Sequence, residues 1–286
     1  MRIAVIGSSG QLGYDLCAVL SHPHEVVELT HKEIEVTEFE SVQKALAEAK
    51  FDFVINTSAF HKLEKVEDNP TLAFSVNAVG PRNLALTCRK LDVPLVHLST
   101  DYVFSGRKHN PYIESDNVDP INIYGISKVA GEMALRSLWH KHFIVRTGSL
   151  YGRAGSSGKG SNFVELMLRL ASEGKPIKVV NDQKMTPTAT LALANQVERL
   201  IKTEDYGTYH ATCQGSCSWY EFAEEIFRWS SLNPDLTPQS TAQSGSAVKR
   251  PTYSVLENAN LKHLGIDNMP HWKDSLHRYL SNKKEN

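Results

Sequence analysis

Short apolar runs alternate with longer amphipathic stretches through the first half of the chain. Five runs have the length and composition of strands: Arg2–Gly7, Glu25–Leu29, Phe51–Asn56, Val93–Ser99 and Phe143–Thr147. Because most of these runs are apolar throughout, they are typical of strands buried in a parallel sheet that is covered on both faces. The pattern predicts a doubly wound parallel α/β sheet, the Rossmann arrangement, over residues 1–150.

Helical spacing fills the segments between these runs and continues in the second half of the chain. The first half predicts helices at 11–20, 41–50 and 69–91, and a fourth that carries Tyr124 and Lys128. After residue 152 we expect helices near 162–172, 189–201, 218–230 and 271–280, with short strands near 177–180 and 208–211. Loops are predicted for the Gly/Ser-rich run 155–160 and for the polar stretch 238–246. Residues 151–286 are thus expected to form mainly a smaller α/β substrate-binding lobe, with some elements returning to the first sheet.

Composition narrows the class of partner. The 286 residues include 31 basic and 32 acidic ones, for a formal charge of −1, which argues against a nucleic-acid or anionic membrane surface. No apolar run is long enough to span a bilayer, and the N-terminus has no leader pattern. The four cysteines are few and lie mostly in apolar segments, as expected for reduced thiols. We expect a cytoplasmic protein with a small-molecule partner.

The turn between the first strand and the first helix contains three glycines, in the order Gly7-Ser-Ser-Gly10-Gln-Leu-Gly13. Glycines allow a tight turn and a close approach of the backbone, and a helix N-terminus provides N–H groups for a pyrophosphate. The spacing is G-x-x-G-x-x-G, and a simple tight connection would show the same glycines. In its strand–turn–helix context the turn predicts dinucleotide binding by a set of six residues: Gly7, Ser9, Gly10, Gln11, Leu12 and Gly13.

The end of the second strand bears on the choice of dinucleotide. NAD-binding folds often place an acid there for the ribose hydroxyl, whereas this chain reads Leu29-Thr-His-Lys32 with no acid before Glu33. A 2′-phosphate would meet a hydroxyl and a cation. His31 and Lys32 therefore favour NADPH, with NADH as the other candidate, unless both are ordinary surface residues.

Tyr124 and Lys128 are four residues apart, which places them on one face of a helix. An ammonium beside a phenol favours the phenolate, so we expect Lys128 to lower the pKa of Tyr124 and make it an acid–base group. Such a pair is also common at a solvated helix edge. Ser99 and Thr100 close the fourth strand, where a parallel sheet opens its ligand crevice. Thr100 is read there as a group facing the ligand, although a helix cap or a turn would use the same residue.

These motifs together resemble the extended short-chain dehydrogenase/reductase superfamily, and within it the dTDP-4-dehydrorhamnose reductase family. The resemblance covers nearly the whole length of the chain. Besides Gly7–Gly13, Ser99–Phe104 and Tyr124–Lys128, it rests on further segments: Asn56–Phe60, Val76–Gly80, Arg146–Gly152, Asn181–Gln183, Cys217–Phe222 and Arg250–Leu256.

The resemblance implies roles for individual residues. A hydride from the nicotinamide would reduce the C4 ketone of a nucleotide-linked deoxyhexulose, with Tyr124 as proton donor, Thr100 as hydrogen-bond donor to the same oxygen, and Lys128 as the third catalytic group. Lys128 and Tyr124 would also contact the cofactor, together with Ser58, Ala59, Phe60, Asn77 and Ser99. The substrate would contact Thr100, Tyr124 and seven further residues: Asp101, Tyr102, Phe104, Ser149, Asn162, Gln183 and Arg250. Core packing explains Tyr102 and Phe104 equally well, and Asn162 and Gln183 could be ordinary surface amides. Arg250 is the candidate for the diphosphate because a guanidinium matches phosphate oxygens.

Two features depart from the family pattern. Ser149 stands where the family often has a tryptophan over the sugar, which changes how a pyranose would be held. Some family members bind a divalent ion at a dimer contact through glutamates, whereas this chain has Asp15 and Leu191 at two of those positions. An apolar side chain cannot ligate magnesium. We therefore expect no metal, and a monomer or a weak homodimer.

Two other functions remain open on the sequence. One is a non-catalytic, cofactor-binding regulatory subunit similar to the β subunit of methionine adenosyltransferase. The other is a nucleotide-sugar epimerase or dehydratase. The dehydratases of this superfamily carry acids beside the threonine, whereas here Asp101 is followed by Tyr102 and not by a glutamate.

Overall fold

The protein is described from a computed structural model that covers residues 1–47, 49–154 and 162–284. The loop predicted at 155–160 lies outside these residues. Two irregular helical turns, a π-helical turn at Ser75–Val79 and a 3-10 turn at Asp101–Val103, interrupt otherwise regular elements. The regular elements of the described residues are, in chain order, β1 (Arg2–Ile6), α1 (Gln11–Leu20), β2 (Glu25–Leu29), α2 (Phe39–Ala47), β3 (Phe53–Asn56), α3 (Leu63–Asp68), α4 (Pro70–Phe74), α5 (Gly80–Leu91), β4 (Leu95–Thr100), α6 (Ile123–Leu138), β5 (His142–Thr147), β6 (Leu150–Tyr151), α7 (Phe163–Ser172), β7 (Ile177–Val180), β8 (Lys184–Met185), β9 (Thr188–Ala189), α8 (Thr190–Leu200), β10 (Gly207–His210), β11 (Cys217–Ser218), α9 (Trp219–Ser230), β12 (Leu236–Gln239), α10 (Ala259–His263) and α11 (Trp272–Lys284).

A six-stranded parallel sheet forms the centre of the molecule, in the order β10-β5-β4-β3-β1-β2. From the neighbouring strands β1 and β3 the sheet grows in opposite directions, to β2 on one side and to β4, β5 and β10 on the other. This is the doubly wound arrangement. The predicted fold class is confirmed. Thr100 pairs with Thr147 in the register of β4 and β5, so both residues lie at the edge where the strands end. We call this edge the carboxyl edge, and it is where such sheets bind ligands.

Two apolar cores cover the two faces of the sheet. One core packs α1 and α8 against side chains such as Val5, Val96 and Val145. The other packs α2, α5 and α6 against the opposite faces of the same strands, including Ala4 and Ile144. Burial on both faces explains why these strands are continuous apolar runs in the sequence.

The second half of the chain builds a smaller lobe and also completes the main sheet. Within the described residues the lobe contains three two-stranded sheets, β11-β8, β12-β7 and β6-β9. Its own core packs α7, α9 and α11 around Tyr151, Phe222 and Trp272. β10 returns to pair with β5, and α8 packs against α1. No helix among the residues described combines the length and apolarity required to cross a bilayer.

Two predicted elements differ from the structure. Pro238 and Gln239 were expected in an irregular loop but lie in β12, which pairs in parallel with β7. A proline is tolerated because β12 belongs to a two-stranded sheet and has a free edge. The single helix predicted at 69–91 is instead α4, a π-helical turn and α5. Pro81 lacks an N–H, so the regular helical bonding is broken at this point.

Candidate active site

The glycine turn, residues Gly7–Gly13, connects β1 to the N-terminus of α1 at the carboxyl edge. Gly7 has φ 78°, and a Cβ on Gly13 would lie 2.1 Å from the Gly7 carbonyl oxygen, so the turn closes only with glycine. Gly10 caps α1 without a side-chain hydrogen bond, which leaves the N–H groups of the first turn available. The Ser8 hydroxyl is buried and bonds to no other described group. An anion such as a pyrophosphate fits this set of donors.

The other residues of the turn that were predicted to bind the cofactor differ in how exposed their side chains are. Ser9 is exposed, and Gln11 is half-buried at the start of α1. The Leu12 side chain is 6% exposed and belongs to the core, so only its backbone can face a ligand. This corrects the prediction for the Leu12 side chain.

The side chain of Glu33 folds back onto Thr30, the residue that follows β2. The Glu33 carboxylate accepts hydrogen bonds from the Thr30 N–H at 2.8 Å and from the Thr30 hydroxyl at 2.5 Å. These bonds lower the pKa of Glu33. The Thr30 hydroxyl is therefore already used, which corrects the expectation that it would meet a 2′-phosphate. His31 and Lys32 are exposed beside it.

Asn77 holds the loop that follows β3. Its Oδ1 accepts from the Phe60 N–H at 2.9 Å, and its Nδ2 donates to the Phe60 carbonyl at 2.9 Å and to Ser127 Oγ on α6 at 3.0 Å. Ser58, Ala59 and Phe60 are half-buried on this loop. Both polar atoms of the Asn77 side chain are used within the protein, where they position the loop. The predicted contact of Asn77 with the cofactor stays a prediction.

Thr100 and Tyr124 meet at the carboxyl edge. Thr100 ends β4, donates from Oγ1 to Asp101 Oδ1 at 3.0 Å, and is hydrogen-bonded to the Tyr124 side chain. Tyr124 is in the first turn of α6 and packs edge-on against Tyr102, with ring centroids 6.0 Å apart. A Cβ on Gly125 would lie 2.2 Å from the Tyr102 carbonyl oxygen. Only glycine lets the start of α6 approach this turn so closely.

The N-terminus of α6 is fixed by three further hydrogen bonds. Asn122 caps the helix by accepting from the Gly125 N–H at 2.8 Å, and its Nδ2 donates to the Lys249 carbonyl at 2.9 Å. The Ile123 N–H donates to the Glu67 carboxylate of α3 at 2.8 Å. The position of Tyr124 is therefore set by α3 and by the second half of the chain as well as by its own helix.

Lys128 lies one turn further along α6 and is 1% exposed. Its Nζ donates to the Leu98 carbonyl at 2.6 Å and lies 3.3 Å from His97 Nε2. Burial lowers the pKa of Lys128 to about 8, against a smaller opposing effect of the Glu132 charge. A buried lysine near neutrality is typical of functional sites.

The pKa of Tyr124 is raised, whereas we expected Lys128 to lower it. Burial raises the pKa of Tyr124 to about 12; its hydrogen bond with Thr100 lowers the pKa, and the Asp101 charge raises it further. The Lys128 amine is directed to Leu98 and His97, so it does not lower the phenol pKa as predicted. Burial likewise raises the pKa of Asp101 to about 6. Tyr124 is thus a protonated phenol at neutral pH, which is the form that donates a proton.

Ser99 and Phe104 are used in the interior. Ser99 Oγ donates to Glu132 Oε1 at 2.5 Å, and Glu132 is itself paired with Arg146, with Nη2 to Oε2 at 2.7 Å. Phe104 is fully buried and stacks on Tyr112 with ring centroids 4.2 Å apart. Of the two explanations open for Phe104, the structure shows core packing and not the wall of the substrate pocket. The Ser99 side chain is bonded to Glu132, so the predicted cofactor contact of Ser99 would have to use its backbone.

The predicted substrate residues of the second half occupy different environments. Asn162 caps α7 by accepting from the Glu165 N–H at 3.0 Å and donates to the Gly152 carbonyl at 2.9 Å, so its amide is used within the protein and not free for a sugar hydroxyl. Gln183 is buried, and its Nε2 donates to Thr241 Oγ1 at 2.9 Å. Ser149 has φ 49° in the two-residue connection between β5 and β6.

Arg250 contacts α3, the helix that also bonds the N-terminus of α6. Its Nη2 donates to Glu64 Oε1 of α3 at 2.9 Å, while its Nε is buried and bonds to no other described group. The pKa of Tyr102 is raised by burial and by the Asp101 charge, and lowered by the Arg250 charge. Arg250 is therefore a cation with an unsatisfied donor whose charge acts on Tyr102.

The sequence interpretation missed His97 and Asn56, the polar side chains that lead away from Lys128. His97 Nδ1 lies 3.1 Å from Asn56 Nδ2, and both residues are fully buried. The sequence did contain a signal for these two residues, because each is a polar residue inside an otherwise apolar strand. Among the described residues, no group of three or more His, Cys, Asp or Glu side chains could hold a metal ion. Asp15 instead accepts a hydrogen bond from Thr190.

The sheet, the glycine turn and the Thr100, Tyr124 and Lys128 group define the extended short-chain dehydrogenase/reductase class. A family model described as RmlD substrate binding domain matches residues 1–285. The chain belongs to this family. It is 37% identical over 283 residues to the spore coat polysaccharide biosynthesis protein SpsK of Bacillus subtilis, a match that covers 99% of this chain and 98% of the relative.

Two solved structures are also similar over almost their full length. A dTDP-4-dehydrorhamnose reductase from Clostridium acetobutylicum matches with a TM-score of 0.95 and 39% identity, covering 99% of this chain and 100% of the other. A dTDP-4-dehydrorhamnose reductase from Bacillus anthracis, solved in complex with NADP, matches with a TM-score of 0.94 and 38% identity, covering 98% and 99%. The similarity therefore includes both halves of the chain.

Proposed function

We propose that this protein reduces the 4-keto group of a dTDP-linked 4-keto-6-deoxyhexose, with NADPH preferred over NADH as the reductant. The observation that carries the proposal is the meeting of Thr100 and Tyr124 at the carboxyl edge, with Lys128 one turn behind them. The relatives named as dTDP-4-dehydrorhamnose reductases and the NADP complex of one of them support the substrate class and the cofactor. The SpsK relative supports a place in polysaccharide biosynthesis.

The cofactor would be held by the glycine turn, by the loop at 58–60 and by Lys128. The first-turn N–H groups of α1 and the buried Ser8 hydroxyl suit its pyrophosphate, and Lys32 suits a 2′-phosphate. When bound, the nicotinamide supplies the hydride for the ketone. Glu33 stands beside the same ribose position, so we expect a moderate and not an absolute preference for NADPH.

The residues of the chain supply the proton and the charge stabilisation. Tyr124 is protonated at neutral pH and gives its proton to the oxygen of the ketone as that oxygen becomes an alkoxide. Thr100 lies against Tyr124, and its hydroxyl, which donates to Asp101 without substrate, would turn to donate to the same oxygen and stabilise the developing charge. Arg250, with its unsatisfied Nε, is the proposed ligand of the substrate diphosphate.

The direct test is oxidation of NADPH, followed at the nicotinamide absorbance, with a panel of nucleotide-linked 4-ketosugars. We expect turnover with the dTDP-linked 4-keto-6-deoxyhexoses, and slower turnover when NADH replaces NADPH. Cofactor binding without turnover of any sugar in the panel would contradict the proposal and would favour a regulatory role.

We also propose a cytoplasmic monomer or weak homodimer. The four cysteines are free thiols, as is usual in a reducing compartment. Leu191 beside Asp15 removes a ligand from the position where some relatives join subunits through a metal ion. Light scattering with and without a chelator tests this proposal; a stable dimer that a chelator dissociates would contradict it.

A further inference from the structure

Three buried polar side chains form a chain that leads from the catalytic group into the sheet. Lys128 Nζ lies 3.3 Å from His97 Nε2, and His97 Nδ1 lies 3.1 Å from Asn56 Nδ2. Each of the three residues is at most 1% exposed. In such an environment an unfavourable placement of a hydrogen is costly, because water cannot satisfy the groups instead. The hydrogen positions can therefore be deduced from the contacts.

The orientation of the Asn56 amide is fixed by its other neighbour. Asn56 Oδ1 accepts from the Ser58 N–H at 3.0 Å and from the Ser58 hydroxyl at 2.6 Å. A backbone N–H can only donate, so the atom that faces Ser58 must be the oxygen. The NH2 group of Asn56 therefore faces His97.

This orientation selects one tautomer of His97. Because Asn56 Nδ2 donates, His97 Nδ1 must accept and cannot carry a hydrogen. Burial, reinforced by the Lys128 charge, lowers the pKa of His97 well below its ordinary value, so the ring is neutral. A neutral ring without a hydrogen on Nδ1 carries it on Nε2, the nitrogen that faces Lys128.

The charge state of Lys128 then decides whether this contact is favourable. An ammonium has no lone pair and cannot accept from the His97 Nε2–H, whereas an uncharged amine can. The Leu98 carbonyl, 2.6 Å from Nζ, accepts from Lys128 in both states. The contact with His97 thus distinguishes between the two forms and favours the uncharged one.

We propose that His97 is a positioning residue which, held by Asn56 as the Nε2–H tautomer, donates to the uncharged amine of Lys128 and favours loss of the Lys128 proton. The importance of this effect for turnover rests on the proposed reductase function. The tautomer and the charge preference are properties of the protein alone. Lys128 is then not a permanent cation but a group that gives up its proton readily.

The other ionisable groups near Lys128 do not reverse this preference. Glu132, four residues further on α6, favours the ammonium, but its carboxylate is already shared by Arg146 at 2.7 Å and Arg136 at 3.0 Å. Apart from burial, the charge of Glu132 is what shifts the pKa of Lys128. The other charged or titratable groups on α6 and on the elements packed against it are Tyr124 and Arg136 on α6, Glu64, Lys65, Glu67 and Asp68 on α3, Arg82, Cys88, Arg89 and Lys90 on α5, Asp101 and Tyr102 after β4, and His142 and Arg146 on β5. The net result agrees with the pKa of about 8 for Lys128.

The first experiment reads the tautomer directly. Long-range proton–nitrogen NMR of the cofactor-free protein labelled with ¹⁵N-histidine distinguishes a protonated from an unprotonated ring nitrogen. We expect His97 to carry its hydrogen on Nε2, and Asn56→Asp to reverse the tautomer because a carboxylate accepts from Nδ1–H. A wild-type His97 with its hydrogen on Nδ1 would overturn the proposal.

The second experiment measures the Lys128 titration with ¹³C/¹⁵N-lysine, assigned by comparison with Lys128→Met. In His97→Gln the amide can turn its oxygen towards the ammonium, so the Lys128 pKa should rise by about one unit or more. His210→Gln is the matched control, because His210 is also a fully buried neutral histidine but bonds to the Tyr112 and Glu257 carbonyls. An equal Lys128 pKa in wild type and His97→Gln would overturn the proposal.

Turnover is measured separately, so that the two proposals fail in different ways. In an active enzyme, the limb of the pH profile of kcat that belongs to Lys128 should move upwards in His97→Gln and stay in place in His210→Gln. Should His97→Gln not fold, the Lys128 titration in Asn56→Asp answers the same question, with a rise in pKa expected and no change contradicting it. NMR results as expected without turnover of any sugar would remove the reductase function and leave the His97 contact standing.

Discussion

Burial determines the protonation state of the side chains at the end of β4. It raises the pKa of Tyr124 to about 12 and that of Asp101 to about 6, and it lowers that of Lys128 to about 8. The phenol is consequently a donor and not a phenolate at neutral pH. The sequence places Tyr124 and Lys128 on one helical face, but it does not show that the amine is directed to a carbonyl and a histidine.

Thr100→Val tests the hydroxyl beside Tyr124. Valine keeps the shape of the side chain but removes the donor to the substrate oxygen, so kcat should fall by about a hundredfold or more. Thr100→Ser keeps the hydroxyl and should retain most of the activity. Steady-state kinetics with both variants make the comparison. A Thr100→Val enzyme as active as Thr100→Ser would show that the hydroxyl does not act on the reacting oxygen.

Asp101 should make the free energy of unfolding depend on pH. The pKa of Asp101 is raised from 3.8 to about 6 in the folded state, because burial disfavours the charged form. The stabilisation of the fold by protonation of Asp101 is therefore fully present below pH 3.8 and is lost as the pH rises through 6. Asp101→Asn does not ionise. Relative to wild type, the variant should therefore gain up to about 3 kcal/mol of unfolding free energy across this pH window. Denaturant unfolding at several pH values measures it, and a difference that is independent of pH would count against the buried carboxylate.

The polar residues of the site could be predicted only in part from the sequence. Thr100, Tyr124 and the glycine turn lie together at the carboxyl edge, where strand order places them. Asn77 was predicted to bind the cofactor and Asn162 the sugar, yet the Asn77 amide bonds the Phe60 backbone and the Asn162 amide caps α7. A sequence cannot separate an amide used within the fold from one that faces a ligand, because both need the same donors and acceptors.

At the scale of elements, the pattern of apolar positions defined most of the main sheet. The bounds of α1, β2 and β7 agree with the prediction because turn residues or polar residues flank each of them. The break in the helix predicted at 69–91 and the strand pairing of Pro238 depend on contacts with distant segments. Local spacing does not contain that information.

The contact between β4, β5 and α6 rests on a buried ion pair. Arg146 and Glu132 are each 1% or less exposed and are joined by two hydrogen bonds, at 2.9 and 2.7 Å, while Glu132 also accepts from Ser99. Removing one partner leaves the other as an uncompensated buried charge. Glu132→Gln should therefore lower the unfolding free energy by about 3–5 kcal/mol.

Chemical denaturation measures this loss, with Glu173→Gln as the control. Glu173 pairs with Lys175 at the surface and should be almost without effect when neutralised. Equal effects of the two substitutions would show that the Glu132–Arg146 pair does not hold α6 to the sheet. The comparison bears on function because α6 carries both Tyr124 and Lys128.

At the scale of the whole molecule, the two halves of the chain meet at the site. β10 and α8 return to the first sheet, Lys249 helps to cap α6 through its carbonyl, and Arg250 pairs with Glu64 of α3. The sequence predicted Arg250 as a phosphate ligand but gave no sign of the Glu64 contact, which joins residues 186 positions apart. We expect the substrate diphosphate to compete with Glu64 for this guanidinium.

Arg250→Ala tests that expectation. Loss of the guanidinium should raise the KM for the nucleotide-sugar by about tenfold or more and leave the KM for NADPH nearly unchanged. Lys249→Ala removes a neighbouring exposed cation and should change neither value appreciably. Steady-state kinetics with each substrate varied in turn separate the two constants. A rise in the KM for NADPH alone would place Arg250 at the cofactor instead.

The central claim is that Tyr124 delivers the proton to the reduced ketone, and Tyr124→Phe tests it most directly. With NADPH and a dTDP-linked 4-keto-6-deoxyhexose, the variant should lose about a hundredfold to ten-thousandfold in kcat, while its affinity for NADPH measured by fluorescence stays close to that of the wild type. A Tyr124→Phe enzyme that turns over at the wild-type rate would contradict the account.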